Sequence, residues 1–268
     1  MNYYKIDDIE NAVRKVGIKK DDTIFINPEI YKFGILESTD INNRVYEYFY
    51  KVIKDIIGPK GTICINSYTF DTLRLKKKFH YNEPNSTCGG FSNYILSLKK
   101  TIRSDHPVFS IASIGYKSKF ISQNNSLHNY GYNSPYEKFL RLNGKILHLG
   151  RDYWINSNLH TAEYMIGVPY FYNKFTKVPI IKNKKKINRE YSSSVRYLNF
   201  DLVGNYNKLK KELKKSKTIK SIKLGGSFVH GIVAKKNLEV YLNLLTKDQF
   251  SLIDKKKYLK SLKNSANS

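Results

Sequence analysis

The sequence predicts an α/β domain. Three observations carry that expectation: helical and strand patterns alternate along the first 170 residues, the strand patterns are short apolar runs suited to a covered sheet, and 268 residues with 41% hydrophobic content can enclose a large core. Ile6, Ile9, Val13 and Val16 share one helical face. Gly17 ends that pattern, and Asp21-Asp22 lead into the strand run Thr23-Ile-Phe-Ile26. Ile41, Val45, Tyr48, Phe49, Val52 and Ile56 then mark a long helix, with Thr39 or Asp40 as its N-cap and Gly58-Pro59 as its stop. Thr62-Ile-Cys-Ile65 follows as a strand.

A turn-rich stretch over 81–88 passes through Gly89-Gly90 into a helical segment at 91–98. Residues 110–115 and 145–150 read as buried strands, and 157–166 as a helix stopped by Gly167. Beyond Tyr170 the texture changes to a Lys-rich segment at 182–186, an alternating strand over 193–200 and a basic helix over 207–217. The chain is therefore read as one domain, 1–268, with a main part at 1–169 and a C-terminal lobe at 170–268. The polar residues 258–268 are expected to fray.

Two cysteines, Cys64 and Cys88, are too few for a disulfide framework or a Cys-built zinc site, and no His-Glu-x-x-His or Gly-x-Ser-x-Gly occurs. No metal is expected. The start Met1-Asn-Tyr-Tyr-Lys-Ile-Asp-Asp lacks the pattern of a secretory leader, no run of 18 apolar residues exists, and the chain reads as cytoplasmic. Forty-seven Lys and Arg against 22 Asp and Glu give +25, which attracts anions, although an AT-rich coding sequence would supply the same lysines.

The segment Asn156-Ser-Asn-Leu-His-Thr-Ala-Glu-Tyr164 carries the sharpest chemical signal. A helix puts His160 and Glu163 at i and i+3, where a carboxylate fixes the imidazole tautomer as a general base requires; the same spacing also describes a plain surface pair. Asn85-Ser-Thr-Cys-Gly-Gly-Phe91 is a small polar loop entering a helix, suited to a phosphate or to an ordinary Gly-assisted helix start. Cys88 within it reads as a nucleophile or a passive small residue. Arg103-Ser-Asp-His-Pro-Val-Phe-Ser110 reads as a cleft-edge cluster or a rigid turn, and Tyr130-Gly-Tyr-Asn-Ser-Pro-Tyr136 as a pocket wall or packed turn.

In order, these segments resemble the aminoglycoside 3-N-acetyltransferase family, also called the antibiotic N-acetyltransferases. Ile63-Cys-Ile-Asn-Ser-Tyr-Thr-Phe70 is similar to the family's Pro-Thr-Phe-type strand end, Ser86-x-x-Gly89 to its helix entry, Arg103-Ser-x-His-Pro to Arg-Ser-x-His-Pro, and Gly131-x-x-Ser-Pro135 to Gly-x-x-Ser-Pro. Leu147-His-Leu-Gly150 followed by Leu159-His-Thr-Ala-Glu163 is similar to Leu-x-Leu-Gly and Leu-His-x-Ala-Glu. The chain departs from the family at Asn27-Pro-Glu29, where many members carry His-Ser-Ser, and at Phe109, where the second histidine of His-Pro-x-His-Ser is replaced.

The resemblance implies a mixed central sheet flanked by helices with a C-terminal α/β lobe, and acyl transfer from acetyl-coenzyme A to an amine. It implies His160 as base, Glu163 as its orienting partner and Ser110 as an oxyanion donor. Ser86, Thr87, Gly89, Gly90, Asn27, Arg103 and His106 are the implied coenzyme A contacts, and Tyr68, Asp71, Trp154 and Asn156 the acceptor pocket. Phe109 and the basic charge favour an amino sugar, nucleotide-linked and bound for a surface glycan, over the polycationic aminoglycoside that is the alternative. A relative that binds coenzyme A without turnover and a basic nucleic-acid-binding protein are the further readings, and a homo-oligomer is compatible with all of them.

Overall fold

The computed structural model describes residues 2–37, 44–197 and 204–266. In chain order the elements begin with β1 (Tyr3–Tyr4), α1 (Ile6–Lys15), β2 (Thr23–Pro28), a 3-10 turn at Ile30–Phe33, β3 (Ile35–Leu36), α2 (Val45–Ile57), β4 (Thr62–Asn66), α3 (Phe70–Arg74), β5 (Phe79–His80) and α4 (Gly90–Ser97). They continue with β6 (Ile102–Arg103), β7 (Ile111–Gly115), α5 (Ser118–Ser122), α6 (Pro135–Arg141), β8 (Lys145–Leu149) and α7 (Asn158–Ile166). The last part contributes β9 (Phe171–Lys182), β10 (Lys185–Arg196), α8 (Asn207–Lys215), β11 (Ile219–Leu224), β12 (Ser227–Val233), α9 (Ala234–Lys247) and α10 (Lys255–Ala266). The N-cap positions expected at Thr39 or Asp40 lie outside the described residues.

The main sheet has seven strands in the order β11-β12-β8-β2-β4-β7-β6. β2 lies between β8 and β4, parallel to both, and the outer strands join antiparallel. The expected mixed sheet is therefore present, and β11 and β12 tie residues beyond 170 into it. Strand alternation sorts the side chains. Ile24, Ile26, Ile63, Ile65, Leu147 and Leu149 pack with Ile9 and Val13 of α1, Phe49 and Ile53 of α2 and Ile95 of α4 on one face. Phe25, Cys64 and Ile146 pack with Ile121 of α5 and Tyr136 and Phe139 of α6 on the other. Each such fully buried aliphatic or aromatic side chain stabilises the fold by about 1.5–3 kcal/mol.

Two features depart from the sequence expectation. The Lys-rich segment is the tip of a long antiparallel hairpin, in which Lys182 pairs with Lys185, and β10 starts well before residue 193. A basic, solvated strand masks its own alternation. Of the residues expected to fray, 258–266 belong to α10 instead, held by the buried Tyr258, whose hydroxyl donates to the Pro169 carbonyl at 2.9 Å, and the last two lie outside the described residues. Among the described residues, no helix is long and apolar enough to cross a membrane, and no group of three or more His, Cys, Asp or Glu could hold a metal ion.

Candidate active site

The parallel strands β8, β2 and β4 end together, and a cavity of about 560 Å³ opens at their carboxyl ends. Ile26, Asn27 and Pro28 line it from β2, Ile65 and Asn66 from β4, and Arg151 from the turn after β8. Trp154, Asn156 and Ser157, which precede α7, and His160 in its first turn also line it. α7 stops at Gly167, whose φ of +70° is the left-handed conformation that a side chain would disfavour.

Within α7 the i, i+3 relation brings His160 and Glu163 together, with Nδ1 and Oε2 2.5 Å apart. Glu163 is fully buried, and its Oε1 accepts from Arg196 Nη2 at 2.8 Å and from the Tyr170 hydroxyl at 2.9 Å. Burial alone would raise the Glu163 carboxyl, but attraction and hydrogen bonding from His160 and then Arg196 outweigh it and hold the group below its ordinary value. An ionised carboxylate can only accept, so Nδ1 carries the proton facing Glu163, and in the neutral ring the lone pair is the one on Nε2. About a third of the His160 side chain is exposed (37%), and the ring lines the cavity.

A second polar group lies in the same wall. The Tyr68 hydroxyl meets those of Tyr136 and of Ser157, the latter at 3.0 Å; Tyr136 donates to Asn66 Oδ1 at 2.7 Å, and Asn66 Nδ2 donates to Ser157 Oγ at 3.1 Å. Tyr68 also packs edge-on to Phe109 at 5.2 Å, and Phe109 to Phe70 at 5.8 Å.

The remaining expected residues divide between the wall and the interior. Asn27, Thr87, Tyr68, Trp154 and Asn156 line the cavity. The Asn156 amide also donates to the Tyr241 hydroxyl at 2.7 Å, and Lys210 stands 3.9 Å over the Trp154 ring. Ser86 is spent on the loop itself: its hydroxyl accepts from the Cys88 N–H at 3.0 Å, while Asn93 bonds its backbone N–H and carbonyl. Gly89 has φ +97° with open space at its missing side chain, whereas a Cβ on Gly90 would strike Tyr46. Asp71 is exposed on α3 and lies outside the cavity lining.

Ser110, Arg103 and His106 do not line the cavity. The Ser110 hydroxyl is fully buried and donates to the Ser67 carbonyl at 2.6 Å, so its proton is committed away from the cavity. Arg103 spends its guanidinium on the carbonyls of Glu83 and Ser67, on Asn85 Oδ1 and on Ser110 Oγ, and burial lowers it to about 10. His106 Nδ1 accepts from the N–H groups of Val108 and Phe109; its Nε2 lies 3.2 Å from the Ser192 carbonyl, and burial lowers the ring to about 4. All three are interior braces because backbone carbonyls and amides, which the side-chain pattern does not display, satisfy them first.

Residues 43–246 match the family model described as Aminoglycoside 3-N-acetyltransferase. The chain belongs to the aminoglycoside 3-N-acetyltransferase family. It is 27% identical over 179 residues to Aminoglycoside N(3)-acetyltransferase III from Salmonella sp, covering 60% of this chain and 60% of that relative. The chain thus matches less than two thirds of that curated relative's length. The solved structure described as AAC-IIIb binary with CoASH superposes with a TM-score of 0.76 at 18% identity, over 91% of this chain and 97% of that one. YokD protein from Bacillus subtilis superposes with a TM-score of 0.72 at 19% identity, over 91% and 99%. These likenesses show that the chain has the fold of the 3-N-acetyltransferase family.

Sequence reasoning missed Arg196 and the role of Tyr170 at Glu163. Tyr170 was within reach, since it follows Gly167-Val-Pro169 one turn beyond the helix. Arg196 bonds Glu163 across 33 positions, and only the pairing of Arg196 with Phe171 in the hairpin reveals it.

Proposed function

We propose that this chain is an acetyl-coenzyme A-dependent N-acetyltransferase that acylates an amino group of an aminoglycoside, with His160 as general base and Glu163 as its orienting carboxylate. The observation that carries the reading is the His160–Glu163 pair, set in the wall of a small-molecule cavity with Nε2 free to accept a proton. His160 takes the proton that the amine loses as its nitrogen bonds to the thioester carbonyl carbon. The C–S bond breaks, and the proton passes from His160 to the departing thiolate. Glu163 balances the imidazolium charge in between.

Two orphaned polar atoms fit a polar cosubstrate. Ser92 Oγ, in the first turn of α4, and Arg151 Nε are buried without a partner among the described residues, and both residues belong to the cavity lining. With Thr87 and Asn27 they form the wall we assign to coenzyme A, the ligand named for the AAC-IIIb structure. The oxyanion falls to donors on this wall in place of Ser110.

The aminoglycoside acceptor displaces the surface-glycan amino sugar expected from sequence. The curated relatives are named for aminoglycoside acetylation, and Phe109, which suggested a different acceptor, packs into an aromatic cluster with Tyr68 and Phe70. The test is thiol release from acetyl-coenzyme A with aminoglycosides, free amino sugars and nucleotide-linked amino sugars, beside a His160→Ala control. Turnover confined to aminoglycosides and lost in the control is expected. Turnover with only nucleotide-linked sugars would overturn the acceptor, and full turnover in the control would remove His160 from the mechanism.

A further inference from the structure

We propose that Arg196 is a positioning residue that sets the proton affinity of the His160–Glu163 pair, holding one carboxylate oxygen so that the pair releases its proton more readily than it would alone. The inference rests on the reading of His160 as the base.

Glu163 has two oxygens and no exposure, and the protein uses them differently. Oε2 serves His160, and Oε1 serves Arg196 and Tyr170. With Arg196 in place, the Arg196, Glu163 and neutral His160 set carries no net charge and gains +1 when His160 is protonated. Without Arg196 the remaining pair starts at −1 and reaches zero on protonation. In a low-dielectric setting the second change is much the easier, so losing the guanidinium makes the pair hold its proton more tightly.

Other groups near the ring do not supply this effect. Tyr130, with its ring centroid 6.1 Å from that of His160, and Tyr170 are phenols driven upward by burial and stay neutral. Phe171, 6.0 Å away on β9, carries no charge. Arg151 of the cavity lining is paired with Glu29 at 3.3 Å, and Tyr206 and Cys88, also in the lining, bring no cation. Arg196 is the cation bonded to the carboxylate itself. Its geometry is set by β10, where Arg196 pairs with Phe171, the neighbour of Tyr170.

The experiment compares Arg196→Gln, which removes the charge, with Arg196→Lys, which keeps it, against the unaltered protein. Imidazole ¹⁵N NMR follows the titration of His160, identified by its loss in His160→Ala, and the pH dependence of acetyl transfer is recorded in parallel. In Arg196→Gln the His160 titration and the acid limb of the rate profile are expected to move about one pH unit upward, with Arg196→Lys close to the unaltered protein. Folded Arg196→Gln with an unmoved titration, or Gln and Lys variants that lose activity equally without any shift, would overturn the inference and leave Arg196 a structural brace. If Arg196→Gln does not fold, Arg196→Lys titrating at the unaltered midpoint while Arg196→Met in the Tyr170→Phe background shifts upward supports it, and no shift in either opposes it. The NMR titration needs no turnover, so an inactive enzyme would sink the acetyltransferase reading and leave this result legible.

Discussion

Ser157 and Tyr68 stand hydroxyl to hydroxyl at 3.0 Å in the cavity wall, and their contact closes a one-way circuit of hydrogen bonds. Tyr136 donates its single proton to Asn66 Oδ1, so Tyr68 must donate to Tyr136, and Ser157 to Tyr68, while Asn66 Nδ2 donates to Ser157. Each hydroxyl proton is committed inside the ring, and what Ser157 and Tyr68 can still offer is acceptor lone pairs. That suits an acceptor substrate rich in ammonium and hydroxyl donors. Ser157 also immediately precedes α7, so the ring fixes the helix that carries His160.

Tyr68→Phe opens this circuit without leaving a large hole. We expect a loss of about 1 kcal/mol, and hence a melting temperature lower by about 2–4 °C. The KM for the amine acceptor should rise, with coenzyme A affinity little changed. Differential scanning calorimetry and steady-state kinetics with each substrate varied in turn check both parts.

Glu163→Gln should cut kcat by about 10²–10⁴-fold, the usual span of general acid–base catalysis, because the imidazolium loses its counter-charge. It also leaves Arg196 bonded to a neutral amide, so stability should fall by about 2–4 kcal/mol. His160→Ala should lose the same turnover with a much smaller stability cost, since its side chain is partly exposed. Urea unfolding beside single-turnover assays separates the two variants.

Arg103→Met should destabilise the protein by about 1–3 kcal/mol, because the Glu83 carbonyl and Asn85 Oδ1 lose their guanidinium donor while the Ser67 carbonyl keeps only Ser110. Arg103→Lys should recover part of that stability, and its coenzyme A affinity by calorimetry should equal that of the unaltered protein. A large loss of affinity in folded Arg103→Lys would return Arg103 to the binding site.

Acid should weaken the fold earlier than carboxylate titration alone would. His106 and His230 are lowered to about 4 by burial, and His148, fully buried with neither ring nitrogen partnered among the described residues, lies well below its ordinary 6.5. Unfolded histidines bind protons near pH 6.5, so the unfolded state holds the extra protons below that pH and stability falls as pH drops from about 6.5 towards 4. With all three taking part, the slope reaches about 4 kcal/mol per pH unit. Urea midpoints at pH 7, 6 and 5 should decline accordingly, and a flat series would show that these rings titrate alike in both states.

The central sheet was legible because β2, β4 and β8 are short apolar runs between clear stops, and α7 because Gly167 ends it. His160 and Glu163 were legible because four consecutive residues of one helix contain their whole relation. Arg196 was not, since its partner is set by hairpin register, and a lysine-rich strand hides that register. Arg103 and Ser110 were misleading for a related reason: a polar motif before a strand looks the same whether it faces a cleft or braces backbone carbonyls in the interior.

The position of β2 between β4 and β8 has a consequence for biosynthesis. A ribosome delivers β2 and β4 long before β8, so β2 must wait with one edge of hydrogen-bonding groups unpaired. The cavity wall is completed later still, by Tyr206, and Glu163 gains its cation only when β10 has emerged. Until β8 has emerged, that edge of β2 is open to pairing with any neighbouring strand, its own chain's or another's.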